Sequence, residues 1–92
     1  MIEQEKKRYH ILYSRIADQQ NLKSKLEKEL ERIDSEVFIP YMEYYRRGDK
    51  AVKIKPVFPN YTFIYTGMDP MELHRLVRDI AGKLRVAVRE LG

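Results

Sequence analysis

Polar and apolar positions alternate most regularly in Tyr61-Thr62-Phe63-Ile64-Tyr65-Thr66. This run of β-branched and aromatic residues predicts a strand with Tyr61, Phe63 and Tyr65 on one face and Thr62, Ile64 and Thr66 on the other. It is bounded by Pro56 and Pro59, which fix φ near −65° and force the strand to begin afresh, and by Gly67. Tyr9-His10-Ile11-Leu12-Tyr13-Ser14 is apolar on both parities over a short length, as expected of a central strand. Glu36 to Tyr45 is a second extended run; Pro40 interrupts it and places it at an edge or a bulge. Arg47-Gly48-Asp49-Lys50 then supplies a turn, and Ala51 to Lys55 returns as the hairpin partner with Val52 and Ile54 on one side. Leu84, Val86 and Val88 alternate with Arg85, Ala87 and Arg89, which predicts a last strand.

Two stretches carry the helical period instead. Leu22, Leu26, Leu30 and Ile33 fall on one stripe behind Asp18, a residue able to cap the helix. Asp69-Pro70-Met71-Glu72 is a start signal, with an acceptor at the cap, proline at the first helical position and a carboxylate three residues after the cap. Leu73, Leu76, Val77 and Ile80 continue it as a buried stripe, and Gly82 is its expected stop. The order β-α-β-β-β-α-β predicts an α+β fold of the split βαβ, ferredoxin-like class: a largely antiparallel sheet with two helices on one face. The other face then meets water, a further segment or a partner, and a long aromatic row there implies binding.

Composition narrows the function classes. The 92 residues make one domain with a small core. There is no cysteine, and the two histidines lie far apart in sequence, so neither a disulfide framework nor a zinc site is expected. No run approaches the ~18 apolar residues of a membrane span, and the charged amino terminus lacks an apolar segment behind it, which predicts a soluble cytoplasmic protein. The net charge of +4 is concentrated in residues 46 to 55, where Arg46, Arg47, Lys50, Lys53 and Lys55 face Asp49 alone. That cluster fits either a solvated hairpin tip or a contact for a polyanion. The sequence has no Gly-rich phosphate cradle, no serine or cysteine paired with a base and no carboxylate pair on a common motif. It therefore predicts no enzyme, no cofactor and no small-molecule substrate.

Phe58-Pro59-Asn60-Tyr61-Thr62-Phe63-Ile64, preceded by Phe38-Ile39-Pro40 and a basic hairpin, resembles the Phe-Pro-Gly/Asn-Tyr segment of the NusG amino-terminal (NGN) domain. Asn60 makes it more similar to specialised paralogues of the RfaH and LoaP kind. The likeness runs over residues 9–92 behind a flank of residues 1–8. Tyr9 stands where the family usually has tryptophan, and the family's carboxy-terminal KOW domain is not among these 92 residues. The resemblance implies a transcription elongation or antitermination factor domain that binds the β′ clamp helices of RNA polymerase through Phe58, Pro59, Tyr61 and Phe63. It further implies that His74 and Arg75 meet the β gate loop. Arg15, Lys25 and Lys28 fall where RfaH approaches non-template DNA; with Arg46 and Arg47 they are the candidate contacts for that DNA or for nascent RNA. The alternative is an RRM-like single-stranded RNA-binding module stacking bases on sheet aromatics, although the usual RRM aromatic signature is not found.

Overall fold

The computed structural model describes residues 6–45, 48 and 52–91. In chain order the elements are β1 (Arg8–Tyr13), α1 (Ile16–Glu29), β2 (Ser35–Phe38), β3 (Tyr41–Tyr45), β4 (Val52–Pro56), β5 (Tyr61–Thr66), α2 (Pro70–Leu84) and β6 (Arg89–Leu91). Four strands form one antiparallel sheet in the order β2-β5-β1-β6, while β3 and β4 form a separate hairpin. This is the split βαβ topology, with an inserted two-stranded arm.

Pro40 accounts for the difference between the expected single run and the two strands found there. It cannot donate to a ladder, so Glu36 to Tyr45 breaks at Ile39-Pro40, and β2 and β3 enter different sheets. The base of the arm is tied by Val57 N donating to Pro40 O at 2.9 Å and by Gln20 Nε2 donating to Tyr41 Oη at 3.4 Å. Of the expected turn at residues 47 to 50, Gly48 is described, with φ of 94°, a conformation that suits glycine. Arg46, Arg47, Asp49, Lys50 and Ala51 lie outside the described residues.

Both helices cover one face of the sheet. Leu12 and Ile64 meet Leu22, Leu26 and Leu30 of the first helical stripe and Leu73, Val77 and Ile80 of the second in one buried cluster. Ile33, Val37, Leu76 and Leu84 pack at its margin. Asp69 caps α2 as expected, accepting from the backbone N–H groups of Met71 (3.1 Å) and Glu72 (3.3 Å).

Three expectations are corrected. Asp18 does not cap α1. The cap position is Arg15, which makes no side-chain capping bond, and Asp18 sits in the first turn, where its charge suits the helix dipole. Gly82 does not stop α2 either. The helix runs to Leu84 and closes on Arg85 in the left-handed conformation, with φ of 57°. Val86 N donates to Ala81 O and Arg85 N to Gly82 O, the paired bonds of a Schellman motif. Consequently Leu84, Val86 and Val88 are not a strand: Leu84 is helical, and Leu84 and Val88 pack on the core. The last strand is the short, charged Arg89–Leu91.

Candidate functional site

Alternation on β5 resolves as the sequence suggests. Thr62, Ile64 and Thr66 are fully buried under the helices, while Tyr61, Phe63 and Tyr65 are half-buried on the opposite face. Strand register extends that face sideways. Tyr9, Ile11 and Tyr13 of β1 stand opposite Tyr65, Phe63 and Tyr61, and Phe38 of β2 stands opposite Phe63. No element of the described chain packs over this side.

Five of the rings form one connected group, in which Tyr9 also meets Phe38 edge-on at 6.4 Å, and Tyr13 and Tyr61 form a pair on the same face. Tyr9 and Tyr65 have centroids 4.5 Å apart, Tyr13 and Tyr61 meet edge-on at 5.4 Å, and Phe38 stacks on Phe63 at 5.5 Å. Phe58 extends it, 6.1 Å from Phe63. Tyr9 (64%), Phe58 (51%) and Tyr13 (41%) remain exposed even with these neighbours, far more than core rings of their size. At one margin Lys7 lies 5.4 Å from the Tyr65 centroid and pairs with Asp34 at 2.7 Å. The hydrogen bond that Lys7 Nζ donates to the Asp34 carboxylate, and secondarily the charge of that carboxylate, holds the Lys7 ammonium above its ordinary pKa.

The position of Phe58 is set by a tight turn. Tyr61 N donates to Phe58 O at 3.2 Å, with Pro59 at the second position and Asn60 at the third with φ of 75°. This fits a type II turn, which takes glycine or asparagine at that third position. The asparagine does more than tolerate the conformation, since its Nδ2 donates to Ser14 O at 3.1 Å while Ser14 N donates to Asn60 O at 2.9 Å. Buried Gln19 completes the brace by donating to Tyr61 O at 3.2 Å.

The remaining sequence-predicted site residues are not gathered with the patch. His74 and Arg75 project from α2 on the helical side of the sheet, where His74 Nδ1 is paired with Glu90 of β6. Arg75 is exposed. Arg15 and Lys28 lie at opposite ends of α1, about 20 Å apart by helical rise. Arg15 sits 3.9 Å from Asp18, and Lys25 is bound to Glu29 at 3.6 Å. Arg46 and Arg47 lie outside the described residues.

A family model matches residues 7–90, and its description is transcription termination factor nusG. The chain belongs to the NusG family. No curated protein matches it. Membership assigns this domain to transcription, and the α+β architecture agrees with the NGN fold. Among the described residues of this NusG-family domain, no helix is long and apolar enough to cross a membrane. Sequence reasoning had singled out Tyr61 and Phe63 as anchors but not Tyr9, Ile11, Tyr13 and Phe38, which share their face. The period-2 parity of Tyr9, Ile11 and Tyr13 was a signal for the β1 contribution; the pairing that brings them opposite β5 is a tertiary fact.

Proposed function

We propose that this domain is a non-catalytic elongation or antitermination factor of the bacterial cytoplasm, which binds RNA polymerase by seating the β′ clamp helices on the aromatic face. One observation carries the reading: the connected rings of Tyr9, Phe38, Phe58, Phe63 and Tyr65, with the pair Tyr13 and Tyr61 on the same face, lie on the side of the sheet that neither helix covers. Large rings in a contiguous, partly desolvated patch are what interface anchors are made of. The domain acts by occupancy, because a ligand shifts a conformational equilibrium only by its differential affinity for the two states. Bridging the clamp to a second polymerase element would favour the closed clamp and so alter pausing or termination.

His74 and Arg75 remain the proposed contacts for the gate loop, with the qualification that His74 must first part from Glu90. Non-template DNA is the proposed ligand of Arg15, Lys25 and Lys28. Their spread along α1 supports a strand passing over the helix rather than a single pocket.

The test is a pull-down of a β′ clamp-helix fragment by the wild type and by Tyr61→Ala with Phe63→Ala, the circular dichroism spectrum serving as the control for folding. Loss of capture with a native spectrum is expected; capture at the wild-type level removes these residues from the site. A second reading, stacking of single-stranded RNA, draws on the aromatics of the two central strands β1 and β5. Tight, salt-dependent binding of RNA without polymerase would favour it. The close mutual packing of Tyr9 with Tyr65 and of Phe38 with Phe63 argues against it, since the rings already occupy one another's faces.

A further inference from the structure

Away from the aromatic face, positive charge gathers around one groove. It lies between the C-terminal half of α2 and the segment leading into β6, and its volume of about 770 Å³ is within the range of ligand clefts. Arg78, Arg85 and Arg89 line it and are exposed, and none has a carboxylate partner among the described residues. The carboxylate in the lining, Glu90, is engaged by His74, and neighbouring Asp79 is bound to Lys83 at 3.1 Å. The helix dipole accounts for a cation at Arg85, where α2 ends. It does not account for Arg78, about two turns earlier, or for Arg89 on the facing strand.

Between the arginines the walls are small and apolar, with Val77 and Val86 beside Gly82, where an added Cβ would meet nothing within 4 Å. One wall is β6, the edge strand of the four-stranded sheet, whose outer side faces no strand among the described residues.

We propose that this groove docks an extended acidic polypeptide, which adds to the edge of β6 and sets its carboxylates against Arg78, Arg85 and Arg89. An edge strand presents both N–H and C=O groups, which suits another backbone and not a row of phosphates. Apolar walls take the alternate side chains of such a strand. Among the described residues no aromatic side chain lines the groove, so a single-stranded nucleic acid would find no stacking platform there. Guanidinium groups bind carboxylates, as they do phosphates, through paired hydrogen bonds, so the arginines select an anion while the edge strand and the apolar walls select a polypeptide.

The experiment titrates the 92-residue protein, by fluorescence anisotropy, with a labelled peptide of alternating valine and glutamate. The same peptide with lysine for glutamate and an oligothymidylate of equal charge serve as comparisons. The acidic peptide is expected to bind, more weakly as salt rises, and to protect the β6 amides from hydrogen exchange. Arg78→Glu with Arg89→Glu lowers its affinity about ten-fold or more. Arg32→Glu, in the turn before the opposite edge strand β2, leaves it unchanged. The charge-removing pair Arg78→Gln and Arg89→Gln gives the same direction should the reversal disturb the fold. Failure of the acidic peptide to bind, equal binding of the lysine peptide, full affinity in a folded double variant, or preferential binding of the oligothymidylate each overturns the proposal.

Discussion

The two faces of β5 carry residues in an order opposite to their size. Its smaller side chains, Thr62, Ile64 and Thr66, are sealed beneath the helices, whereas the larger rings of Tyr61, Phe63 and Tyr65 stay partly in water. Burial of apolar area alone would put the rings inside, since a ring buries more area than a threonine. The arrangement holds because parity fixes which residues share a face, and the α1 and α2 stripes cover the face that is small enough to sit close to them. The contrast teaches that one face of this sheet is sealed for stability, while the other, left open to water, is the face proposed to meet a partner.

The largest expected effect tests the covered face. Ile64→Ala removes a fully buried branched side chain and should cost about 2–5 kcal/mol by denaturant unfolding, while the protein that remains folded still captures the clamp-helix fragment. On the uncovered face the effects invert. Phe58→Ala with Tyr9→Ala, both more than half exposed, should reduce capture by about 2 kcal/mol or more with little change in the unfolding midpoint. Equal losses of stability and capture in both variants would erase the distinction between the faces.

The covered face can be sharpened further with its two threonines. Thr66 Oγ1 bonds Ser35 Oγ at 2.7 Å and accepts from Met68 N at 3.1 Å, so Thr66→Val should destabilise by about 1–2 kcal/mol in thermal melts. Thr62 Oγ1 is buried without a hydrogen-bond partner among the described residues, and Thr62→Val, which removes that desolvated hydroxyl, should be neutral or stabilising by up to about 1 kcal/mol. The smallest effect lies at the rim of the ring patch. With its pKa raised in the folded state, Lys7 contributes stability that is present below its ordinary value of 10.5 and is lost as pH rises through the higher folded value. The midpoint difference between wild type and Lys7→Met should therefore be small at neutral pH and vanish in strong alkali; a difference that grows there would reverse the assignment.

What the sequence made legible follows the strength of local signals. β5 and the start of α2 lie where Pro59, Gly67 and Asp69-Pro70 put them, because each of those residues restricts the backbone by itself. The end of α2 was not legible. Gly82 occupies an open helical position, and the turn beyond it is held by Leu84 packing on the core and closed by Arg85, a residue whose identity does not announce a left-handed cap. The start of α1 was misread for a related reason: Asp18 has the chemistry of a cap, but Ile16 and Ala17 are already helical ahead of it. Of the aromatic face, the β5 part is readable by alternation, whereas the β1 and β2 parts depend on strand register. His74 and Arg75 were read from the family pattern, and the Glu90 pairing could not be foreseen across 16 positions.

The joint at Ile39-Pro40 has one more implication. Phe38 lies just before the arm formed by β3 and β4, Phe58 lies just after it, and both rings rest against Phe63. The two roots of the arm are thus planted in the same aromatic bed, so a load applied along the arm is delivered to the rings proposed to grip the polymerase. Beyond the ties at its base, the arm strands pack on no other element among the described residues, so the arm joins the domain at its roots, beside those rings.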